Sequence, residues 1–389
     1  MQDELIYLDY AASTPVDPAV RELMYSTMGE PGGTANPSST HAAGRQATAA
    51  IAKAAEQLAA LVNTEPDKLI WTSGATESDN LAIFGAAHFR ANRGKHLISM
   101  KTEHKAVVDA FEHLEKSGFE VSWVPCREDG RVDRQALERA MRDDTQLVSI
   151  MHVNNELGTI QDIERIGSLC RDRDILFHVD AAQSLGKVPI DLAQLPVDLM
   201  SMTAHKIYGP KGIGALYIDE RPGCHVDPML HGGGQQKQIR PGTMPAPMIA
   251  AFGLTAEIAA ARIRQDLEHL TALRERMWRG IEGIRGVSVN GDPEHSFPGI
   301  LNVSVEGVEG ESLVLALEPM CIATGSACNS TSAEPSYVLR ALGLSDDVAQ
   351  SAIRFSFGRP TTEREVDFAI RHYTLAVTRL RQVAPGVMA

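Results

Sequence analysis

Short apolar segments alternate with helical patterns from about residue 40 to residue 220, and this alternation limits the folds that the chain can adopt. An Ala-rich helical pattern follows His41 and runs to about Val62, and apolar segments separate the helical patterns after it. These segments are KLIWTS, KHLISM, EVSWVP, QLVSIMHV and ILFHVD, followed at closer spacing by DLMSMT and GALYI. Short apolar strands separated by helices are typical of a mostly parallel sheet with both faces covered. The sequence therefore predicts an α/β domain.

A Gly/Pro-rich stretch at residues 231–247, HGGGQQKQIRPGTMPAP, separates this region from the rest of the chain. Beyond it, apolar residues at helical spacing predict a long helix; they are Ile263, Leu267, Leu270, Leu273 and Met277. The remaining sequence mixes short strands, VSVNG, ILNVSV and AIRFSFG, with helical patterns. Thr362 and Glu365 have the spacing of a capping box at the start of the last helix. We therefore predict a second, smaller α+β domain.

Charge and cysteine usage exclude several classes of protein. The net charge is −13, and the acidic residues are scattered along the chain rather than grouped in blocks. This argues against nucleic acid or an anionic membrane surface as the main partner. No apolar run approaches the roughly 18 residues of a membrane span, and the first ten residues lack the features of a signal peptide. The five cysteines show no C-x-x-C spacing, so neither a disulfide framework nor a zinc finger is expected. We expect a cytoplasmic protein in a reducing compartment.

Two segments at predicted strand ends carry groups suited to a phosphorylated ligand. In WTSGATESDN a strand ends, and Gly74, Ala75 and Thr76 turn into a helix whose first N–H groups form a phosphate cup. In FHVDAAQS, strand alternation places His178 and Asp180 on one face. Asp180 lies at the carboxyl end of its strand, where open α/β sheets bind ligands, and Gln183 follows it.

Three further side chains have reactive or binding chemistry. Lys206 follows an apolar strand in MTAHKIYGPKG, where a partly desolvated amine is suited to bond to an aldehyde. Arg354 lies on the predicted strand SAIRFSFG, on the face opposite Ile353, Phe355 and Phe357, and is suited to bind a carboxylate. Cys328 lies in ATGSACNS among small residues that permit movement of the thiol.

Each feature alone has an ordinary structural explanation: a helix N-cap, a solvated carboxylate, a surface lysine, a surface ion pair or an inert thiol. Together they provide a phosphate cup, an acid for a ring nitrogen, an amine for an aldehyde and an arginine for a carboxylate. This combination is what a pyridoxal-phosphate enzyme acting on an amino acid requires.

A series of long motifs extends this interpretation over nearly the whole chain. They are YLDYAASTPVDP, NPSSTH, TSGATESDNLAI, KTEHKAV, SIMHVNNELG, HVDAAQSLGK, AHKIYGPKGIGALY, HGGGQQ, RPGTMP, GSACNS, EPSYVLRALG and AIRFSFG. In this order they resemble the group I cysteine desulfurases of the IscS/NifS type, within the class-V, fold-type-I pyridoxal-phosphate enzymes. The resemblance implies conversion of L-cysteine to L-alanine, with the sulfur held as a persulfide for delivery to iron–sulfur cluster assembly or thio-modification acceptors.

The resemblance also implies an architecture. We expect a fold-type-I transferase with a mostly parallel seven-stranded sheet flanked by helices in a large domain, residues 16–261. Residues 1–15 and 262–389 are expected to form the smaller α+β domain that carries the Cys328 loop. We expect a homodimer with a protein sulfur acceptor, and no direct partner among nucleic acids or membranes.

By the same resemblance, three residues are expected to act in catalysis. Lys206 carries the coenzyme and later moves the Cα proton, His104 stacks on the coenzyme ring and acts as acid and base, and Cys328 is the nucleophile. Gly325, Ser326 and Ala327 would let the persulfide leave the pocket.

The binding residues follow from the same motifs. Asp180 pairs with the pyridinium nitrogen and Gln183 bonds the phenolic oxygen. The phosphate is expected to be held by the Ala75 backbone, Thr76, Thr203, His205 and, from the neighbouring subunit, Thr243. The substrate carboxylate is expected to be bound by Arg354 and Asn155, with Asn36; Asn155 also lies at the coenzyme.

Three positions depart from the commonest pattern of the family. Thr203 stands where many relatives have Ser, Pro241 stands where Ser is more usual, and Asn329 replaces a frequent Thr. The sequence printed here also stops soon after the last predicted helix, where housekeeping members carry a tail that helps to dock the iron–sulfur scaffold. We therefore expect room for a specialised sulfur acceptor.

Several alternatives remain open from the sequence. A selenocysteine lyase or a class-V aminotransferase uses the same coenzyme, and an aminotransferase would not need Cys328. A non-haem iron site is suggested by the pair His178 and Asp180 with another histidine. A catalytically inactive scaffold protein is a fourth possibility, although Lys206 is intact.

Overall fold

A computed structural model describes residues 5–324 and 334–383 of the chain. Its strands follow the predicted apolar segments closely. In chain order they are β1 (Ile6–Tyr7), β2 (Leu69–Thr72), β3 (His96–Met100), β4 (Glu120–Val124), β5 (Thr145–Ser149), β6 (Leu176–Asp180), β7 (Leu199–Thr203), β8 (Gly214–Ile218), β9 (Val287–Val289), β10 (Ile300–Val305), β11 (Met320–Cys321), β12 (Ala323–Thr324) and β13 (Ile353–Ser356).

The helices of the described residues alternate with these strands in the first part of the chain. They are α1 (Pro18–Gly29), α2 (Pro31–Thr34), α3 (Ala42–Val62), α4 (Ala75–Phe89), α5 (Lys105–Lys116), α6 (Arg134–Ala140), α7 (Ile163–Arg171), α8 (Ala246–Ile281), α9 (Gly310–Ala316), α10 (Tyr337–Ala341), α11 (Asp346–Gln350) and α12 (Glu363–Val383). The Ala-rich helix begins directly after His41, as predicted, and the His41 side chain accepts a hydrogen bond from the Gly44 backbone N–H.

Seven strands form the large sheet, in the order β2-β8-β7-β6-β5-β3-β4. The pairs β3–β4, β3–β5, β5–β6 and β6–β7 are parallel, while β8 is antiparallel to both of its neighbours. The predicted α/β fold with a mostly parallel seven-stranded sheet is therefore confirmed. The parallel strands β2 to β7 all end at the same edge of the sheet.

Both faces of the large sheet are covered, because side chains alternate along its buried strands. On β6, Phe177 and Val179 pack into a core with α3, α7 and the first turns of α8, while Leu176 packs on the other face with α4 and α5. The α3–α8 contact is close: a Cβ at Gly253 would lie 2.5 Å from the Ala54 Cα atom. Small residues on both helices therefore allow this packing.

The second group of strands forms a four-stranded antiparallel sheet, β12-β13-β10-β9, beside a short parallel pair, β1 and β11. Ile353, Phe355 and Phe357 pack into the core of this region, as the predicted alternation requires. The predicted boundary at residues 261/262 falls inside α8, so this helix runs from one predicted domain into the other. The division into domains itself stays a proposal.

Helix α8 is the one helix of the described residues that is long and apolar enough to cross a membrane by length and composition. No such run was expected from the sequence. Nearly half of its apolar window is buried inside the structure, and the helix packs along α3, α1 and α12. Packing against these helices accounts for its apolar residues.

A buried carboxyl group connects the large sheet to the second region. Glu156, in the turn after β5, accepts a hydrogen bond from the Ser336 hydroxyl at 2.6 Å, and its backbone oxygen accepts one from Asn302. Burial raises the pKa of Glu156 from 4.5 to about 7, although the Ser336 hydrogen bond and Arg354 act in the opposite direction. The folded protein therefore retains a proton on Glu156 that the unfolded chain releases.

We expect the capping box of α12 to contribute to stability. The Thr362 backbone N–H donates to the Glu365 carboxylate at 2.6 Å, and the Glu365 N–H donates to the Thr362 hydroxyl at 3.3 Å. Thr362→Ala should lower the free energy of unfolding by about 1 kcal/mol, measured by urea titration. Thr378→Ala, an exposed position in the same helix, is the control and should change stability little. Equal stability of Thr362→Ala and the parent would contradict this role.

Glu156 should make stability depend on pH. Because its folded pKa is raised, the free energy of unfolding falls as the pH rises from about 4.5 to about 7. Glu156→Gln keeps an oxygen for Ser336 but has no proton to lose. The stability of the variant relative to the parent should therefore increase by on the order of 2–3 kcal/mol between pH 5 and pH 8.

Urea titrations at both pH values measure this difference. Glu128→Gln, at an exposed position, is the control and should show no such gain. A Glu156→Gln variant whose relative stability is the same at both pH values would refute the assignment.

Candidate active site

A cleft at the carboxyl edge of the large sheet brings together most of the predicted site residues. Its walls also include residues of the second region, because β13 approaches this edge. The predicted residues that line it are Ala75, Thr76, His104, Asn155, Asp180, Gln183, Thr203, His205, Lys206 and Arg354. These residues are far apart in the sequence, and they meet because the strands before them end side by side.

The predicted phosphate cup lies at the start of α4. Among the described residues no acceptor lies within hydrogen-bond distance of the backbone N–H groups of Ala75 and Thr76. Gly214 of β8 lies directly against this turn, since a Cβ there would be 2.6 Å from the Gly74 Cα atom and from the Met202 oxygen. The cup therefore depends on a glycine in the neighbouring strand as well as on the first turn of a helix, which favours anions.

An ion pair closes the outer side of this cup. The Glu77 carboxylate accepts a hydrogen bond from the Ser73 N–H at 2.6 Å and one from the Arg240 guanidinium at 2.9 Å. Burial opposes the effect, but the hydrogen bonds from Arg240 and Ser73 lower the pKa of Glu77. Arg240 therefore neutralises a carboxylate beside the cup and fixes the loop that carries Thr243.

Asp180 forms the floor of the cleft at the end of β6. It is 3% exposed, and within the described part of the chain it accepts one hydrogen bond, from the Ala182 N–H at 2.8 Å. Burial raises the pKa of Asp180, while His104 and Lys206 act in the opposite direction. A cationic N–H group placed against this carboxylate would compensate for its burial.

Two other buried carboxyl groups lie around Asp180. Burial, reinforced by the charge of Asp180, raises the pKa of Asp79 on α4 well above its usual range. Burial likewise raises the pKa of Glu103, whose oxygens accept from the Met151 N–H at 3.0 and 2.9 Å. Of these three buried acidic residues, Asp180 is the one that lines the cleft.

His104 is the N-cap of α5, and its ring forms one side of the cleft. Its Nδ1 atom accepts a hydrogen bond from the Ala106 N–H at 3.1 Å, which places the ring proton on Nε2 in the neutral form. Burial lowers the pKa of His104, while Asp180 raises it. The hydrogen bond to Nδ1 therefore holds the ring in place, and Nε2 is the nitrogen available for proton transfer.

Lys206 projects from a tight turn that the N-terminal segment holds in place. The His205 carbonyl accepts hydrogen bonds from the Thr14 N–H at 3.0 Å and the Thr14 hydroxyl at 2.9 Å, and the same hydroxyl accepts from the Tyr208 N–H. Tyr208 has a φ of +71°, an unfavourable value for a non-glycine residue, so these bonds hold a strained turn. Burial and the charge of Lys206 lower the pKa of His205 to about 4.

The Ala11 carbonyl is the acceptor shared by two of the predicted residues. The Lys206 Nζ atom donates to it at 2.5 Å, and the Gln183 Nε2 atom donates to it at 2.7 Å. The Ala11 N–H in turn donates to the Ser356 hydroxyl on β13. The N-terminal segment therefore joins the amine, the amide and the second sheet.

Arg354 enters the cleft from β13. Its Nη1 atom donates to the Asn155 carbonyl and its Nη2 atom to the Asp9 carboxylate, both at 2.7 Å. Among the described residues, its buried Nε atom has no hydrogen-bond partner. A guanidinium has five N–H donors, so a substrate carboxylate can still be bound while two of them hold the side chain in place.

Two predicted site residues do not line this cleft, and others lie outside the described residues. Asn36 is exposed, and its side-chain oxygen accepts from the Ser38 N–H in a local turn. Thr243 is exposed on the loop before α8. Cys328 lies outside the described residues, and so do Gly325, Ser326, Ala327 and Asn329. The roles of all these residues stay predictions.

The structure contradicts the alternative of an iron site at His178. Its two ring nitrogens are hydrogen-bonded to the hydroxyls of Ser149 and Ser201, at 2.8 and 2.9 Å. Burial lowers the pKa of His178 to about 3, so the ring is neutral and serves the packing between strands. Within residues 5–324 and 334–383, no group of three or more histidine, cysteine or acidic side chains is arranged to hold a metal.

Asp9 and Ala11 are site residues to which the sequence interpretation gave no role. Both belong to the motif YLDYAASTPVDP, so the motif was the signal that could have identified them. The contribution of Ala11 is a backbone carbonyl, which no side-chain pattern reports. Asp9 looked like one more acidic residue until β13 placed Arg354 beside it.

Comparisons with known proteins agree with this geometry. The sequence model of the family described as class-V aminotransferase matches residues 6–368. The chain is 54% identical over 381 residues to "Cysteine desulfurase IscS" of Escherichia coli O139:H28 (strain E24377A / ETEC), which covers 98% of this chain and 94% of that protein.

Solved structures give the same result. A "NIFS-LIKE PROTEIN" superposes with a TM-score of 0.89 at 35% identity, covering 97% of this chain and 100% of that one. The structure titled "SspA in complex with cysteine" superposes with a TM-score of 0.81 at 37% identity, covering 92% and 99%.

Proposed function

Because the chain belongs to the class-V aminotransferase family and is a pyridoxal-phosphate-dependent cysteine desulfurase within it, we propose that it converts L-cysteine to L-alanine and carries the sulfur on Cys328. One observation supports the reaction most strongly. The amine of Lys206, the carboxylate of Asp180, the N–H groups of Ala75 and Thr76 and the guanidinium of Arg354 share a single cleft.

The chemistry of the donor set fits pyridoxal phosphate. The N–H groups at the start of α4 have no acceptor among the described residues, as a phosphate cup requires. Asp180 is a buried carboxylate with a single backbone donor, which suits a protonated ring nitrogen. Thr76, Thr203 and His205 would hold the phosphate, Gln183 the phenolic oxygen and Lys206 the aldehyde carbon.

When bound, pyridoxal phosphate supplies an electron sink for the pair that the amino acid releases as its Cα–H bond breaks. The protein's own residues move the protons. Lys206 lies beside the Ala11 carbonyl, which keeps its amine within the cleft to accept the Cα proton. Neutral His104 presents Nε2 to the same space, where it can return a proton to the product.

Arg354 is positioned to bind the substrate carboxylate. Its hydrogen bonds to Asp9 and to the Asn155 carbonyl fix the guanidinium plane, so binding a carboxylate costs little side-chain entropy. This arrangement would orient the amino acid with its amino group towards Lys206 and its side chain towards the opening of the cleft.

The last described residue before the segment with Cys328 lies beside the substrate-binding arginine. Thr324 of β12 is paired with Ile353, the neighbour of Arg354. Cys328 follows Thr324 by four residues, and four residues span at most about 14 Å. This connectivity supports the proposal that Cys328 acts on a substrate bound by Arg354.

Sulfur transfer to Cys328 is balanced without a further reactant. As the Cys328 thiolate attacks the sulfur of cysteine, a sulfur–sulfur bond forms and the bond between that sulfur and Cβ breaks. The protein sulfur is oxidised to a persulfide, and the substrate carbon is reduced to the methyl group of alanine after protonation. A thiol-bearing acceptor would then attack the persulfide and regenerate Cys328.

Several parts of the wider function are also proposals. We propose that the enzyme is a cytoplasmic homodimer, with Thr243 of each subunit completing the phosphate site of the other. The exposure of Thr243 and its absence from the lining of its own subunit's cleft support this placement. The acceptor is proposed to be a protein of an iron–sulfur assembly or sulfur-relay pathway.

Cys328→Ser should abolish desulfuration while coenzyme remains bound. A serine hydroxyl cannot form a persulfide, so alanine release from L-cysteine should fall by more than about 100-fold. Alanine is quantified by chromatography and bound coenzyme by its visible absorption. Cys321→Ser, which changes a half-buried free cysteine on β11, is the control and should keep near-parental activity.

Two outcomes would count against this mechanism. Substantial alanine formation from L-cysteine by Cys328→Ser would reject the role of the thiol. If that variant forms alanine from selenocysteine but not from L-cysteine, the enzyme would instead be a selenocysteine lyase.

The proposed role of Thr243 across the dimer can be tested with mixed subunits. Thr243→Val removes a hydroxyl donor to a phosphate and should weaken coenzyme binding by roughly 10- to 100-fold. A heterodimer of one Thr243→Val subunit and one Lys206→Ala subunit then contains one intact site only if Thr243 acts on the neighbour. Measured at limiting coenzyme, its activity should be about half that of the parent.

The Thr243→Val homodimer is the matched control for this heterodimer. If Thr243 acts within its own subunit, the heterodimer will show no more activity than that control. Sedimentation of the purified parent measures the dimer itself.

A further inference from the structure

Lys187 is a basic residue behind the active site to which the reaction as described gives no role. It lines a small apolar cavity on the far side of the Lys206 turn, together with Tyr208, Phe297 and Asp266. Its ammonium group lies 5.5 Å from the centre of the Phe297 ring. Burial of a lysine among apolar groups is unfavourable, so its retention there calls for a specific partner.

That partner is Gln183. The Lys187 Nζ atom donates to the Gln183 Oε1 atom at 2.8 Å, and the Gln183 Nε2 atom donates to the Ala11 carbonyl at 2.7 Å. The same carbonyl accepts from Lys206. A continuous chain of hydrogen bonds therefore leads from Lys187 through the Gln183 amide to the acceptor that holds the catalytic amine.

These contacts determine which way the Gln183 amide points. A backbone carbonyl only accepts hydrogen bonds, so Nε2 must face Ala11, and Oε1 then faces Lys187, whose Nζ atom donates to it. The NH₂ group has two hydrogens, and Ala11 uses one. The second N–H is left for the cleft, whose lining includes Gln183.

We propose that Lys187 is a positioning residue that acts through Gln183, holding the amide so that an N–H rather than the oxygen faces the phenolic oxygen of bound pyridoxal phosphate. This inference rests on the proposed function, because it assumes that the coenzyme occupies the cleft with its phenolic oxygen at Gln183. Without Lys187 only the Ala11 carbonyl would favour this orientation, and in the rotated amide the oxygen would repel the phenolic oxygen.

The arrangement predicts a spectroscopic effect in the resting, substrate-free enzyme. The coenzyme's visible absorption band moves when the nitrogen that links it to Lys206 takes up a proton. An N–H donated to the phenolic oxygen stabilises its ionised form and therefore disfavours that proton, so it lowers the pH midpoint of the change. Loss of the donor should raise the midpoint by about one pH unit.

Other charges act on Lys187 and must stay constant in the test. Burial lowers the pKa of Lys187 well below its usual range, and the charges of Lys206 and Arg354 lower it further. Two further sets of titratable or charged groups surround Lys187. One is His205, whose pKa is lowered by the charge of Lys187, and the other is the cavity residues Tyr10, Tyr208, Asp266 and Arg359. The variants below leave all of these groups unchanged.

The experiment compares absorption spectra of the substrate-free holoenzyme between about pH 6 and pH 10. Lys187→Met keeps most of the length of the side chain and removes the donor, whereas Lys187→Arg keeps a charged donor. Gln183→Ala and the double variant Gln183→Ala/Lys187→Met show whether the effect passes through Gln183. Because a methionine is easier to bury than an amine, Lys187→Met is expected to fold, and Lys187→Leu provides the same comparison if it does not.

We expect Lys187→Met to raise the midpoint by about one unit and Lys187→Arg to restore it towards the parental value. In the Gln183→Ala background, Lys187→Met should add no further shift. An unchanged midpoint in Lys187→Met would overturn the inference, and so would an equal shift in both backgrounds, which would indicate a direct charge effect. A parental enzyme with no coenzyme band would instead refute the proposed function, so the two failures are distinguishable.

Discussion

Burial of the large sheet on both faces is the constraint on which the active site depends. A strand covered by helices on each side has no room for reactive polar groups along its length, so these groups collect where the strands end. In this protein six strands, β2 to β7, run in the same direction and end at one edge. The phosphate cup, His104, Asp180 and Lys206 lie at or just after the ends of four of these strands. Groups that are far apart in the sequence therefore meet in one cleft.

The N-terminal segment turns this edge into a defined site. Thr14 holds the turn that carries Lys206, the Ala11 carbonyl holds the Lys206 amine and the Gln183 amide, and Asp9 holds Arg354. Each of these contacts joins groups that are more than 150 residues apart in the chain. The segment therefore couples the large sheet to the second sheet, and the substrate-binding arginine to the amine.

The limits of the sequence interpretation appear at strand ends. The apolar run QLVSIMHV predicts a strand of eight residues, whereas β5 ends at Ser149. The next residues still bond to β6 through the backbone N–H groups of Ile150 and His152, while Met151 and Val153 line the cleft. Apolar character alone does not distinguish a residue inside a sheet from one in the wall of a buried site, because both exclude water. Similarly, VDRQALERAMR predicts a longer helix than α6, which ends at Ala140.

The sequence by itself determined the order of strands and helices, the fold class and the identity of the chemical groups, because periodicity and motifs are local properties. The tertiary structure decided which of these groups meet. It excluded His178 as a metal ligand, because both ring nitrogens are bonded to serine hydroxyls. It also added two groups to the site, the Ala11 carbonyl and Lys187, whose roles no sequence motif indicates. Direction of hydrogen bonding and burial depend on neighbours distant in the chain, so these roles become visible only after folding.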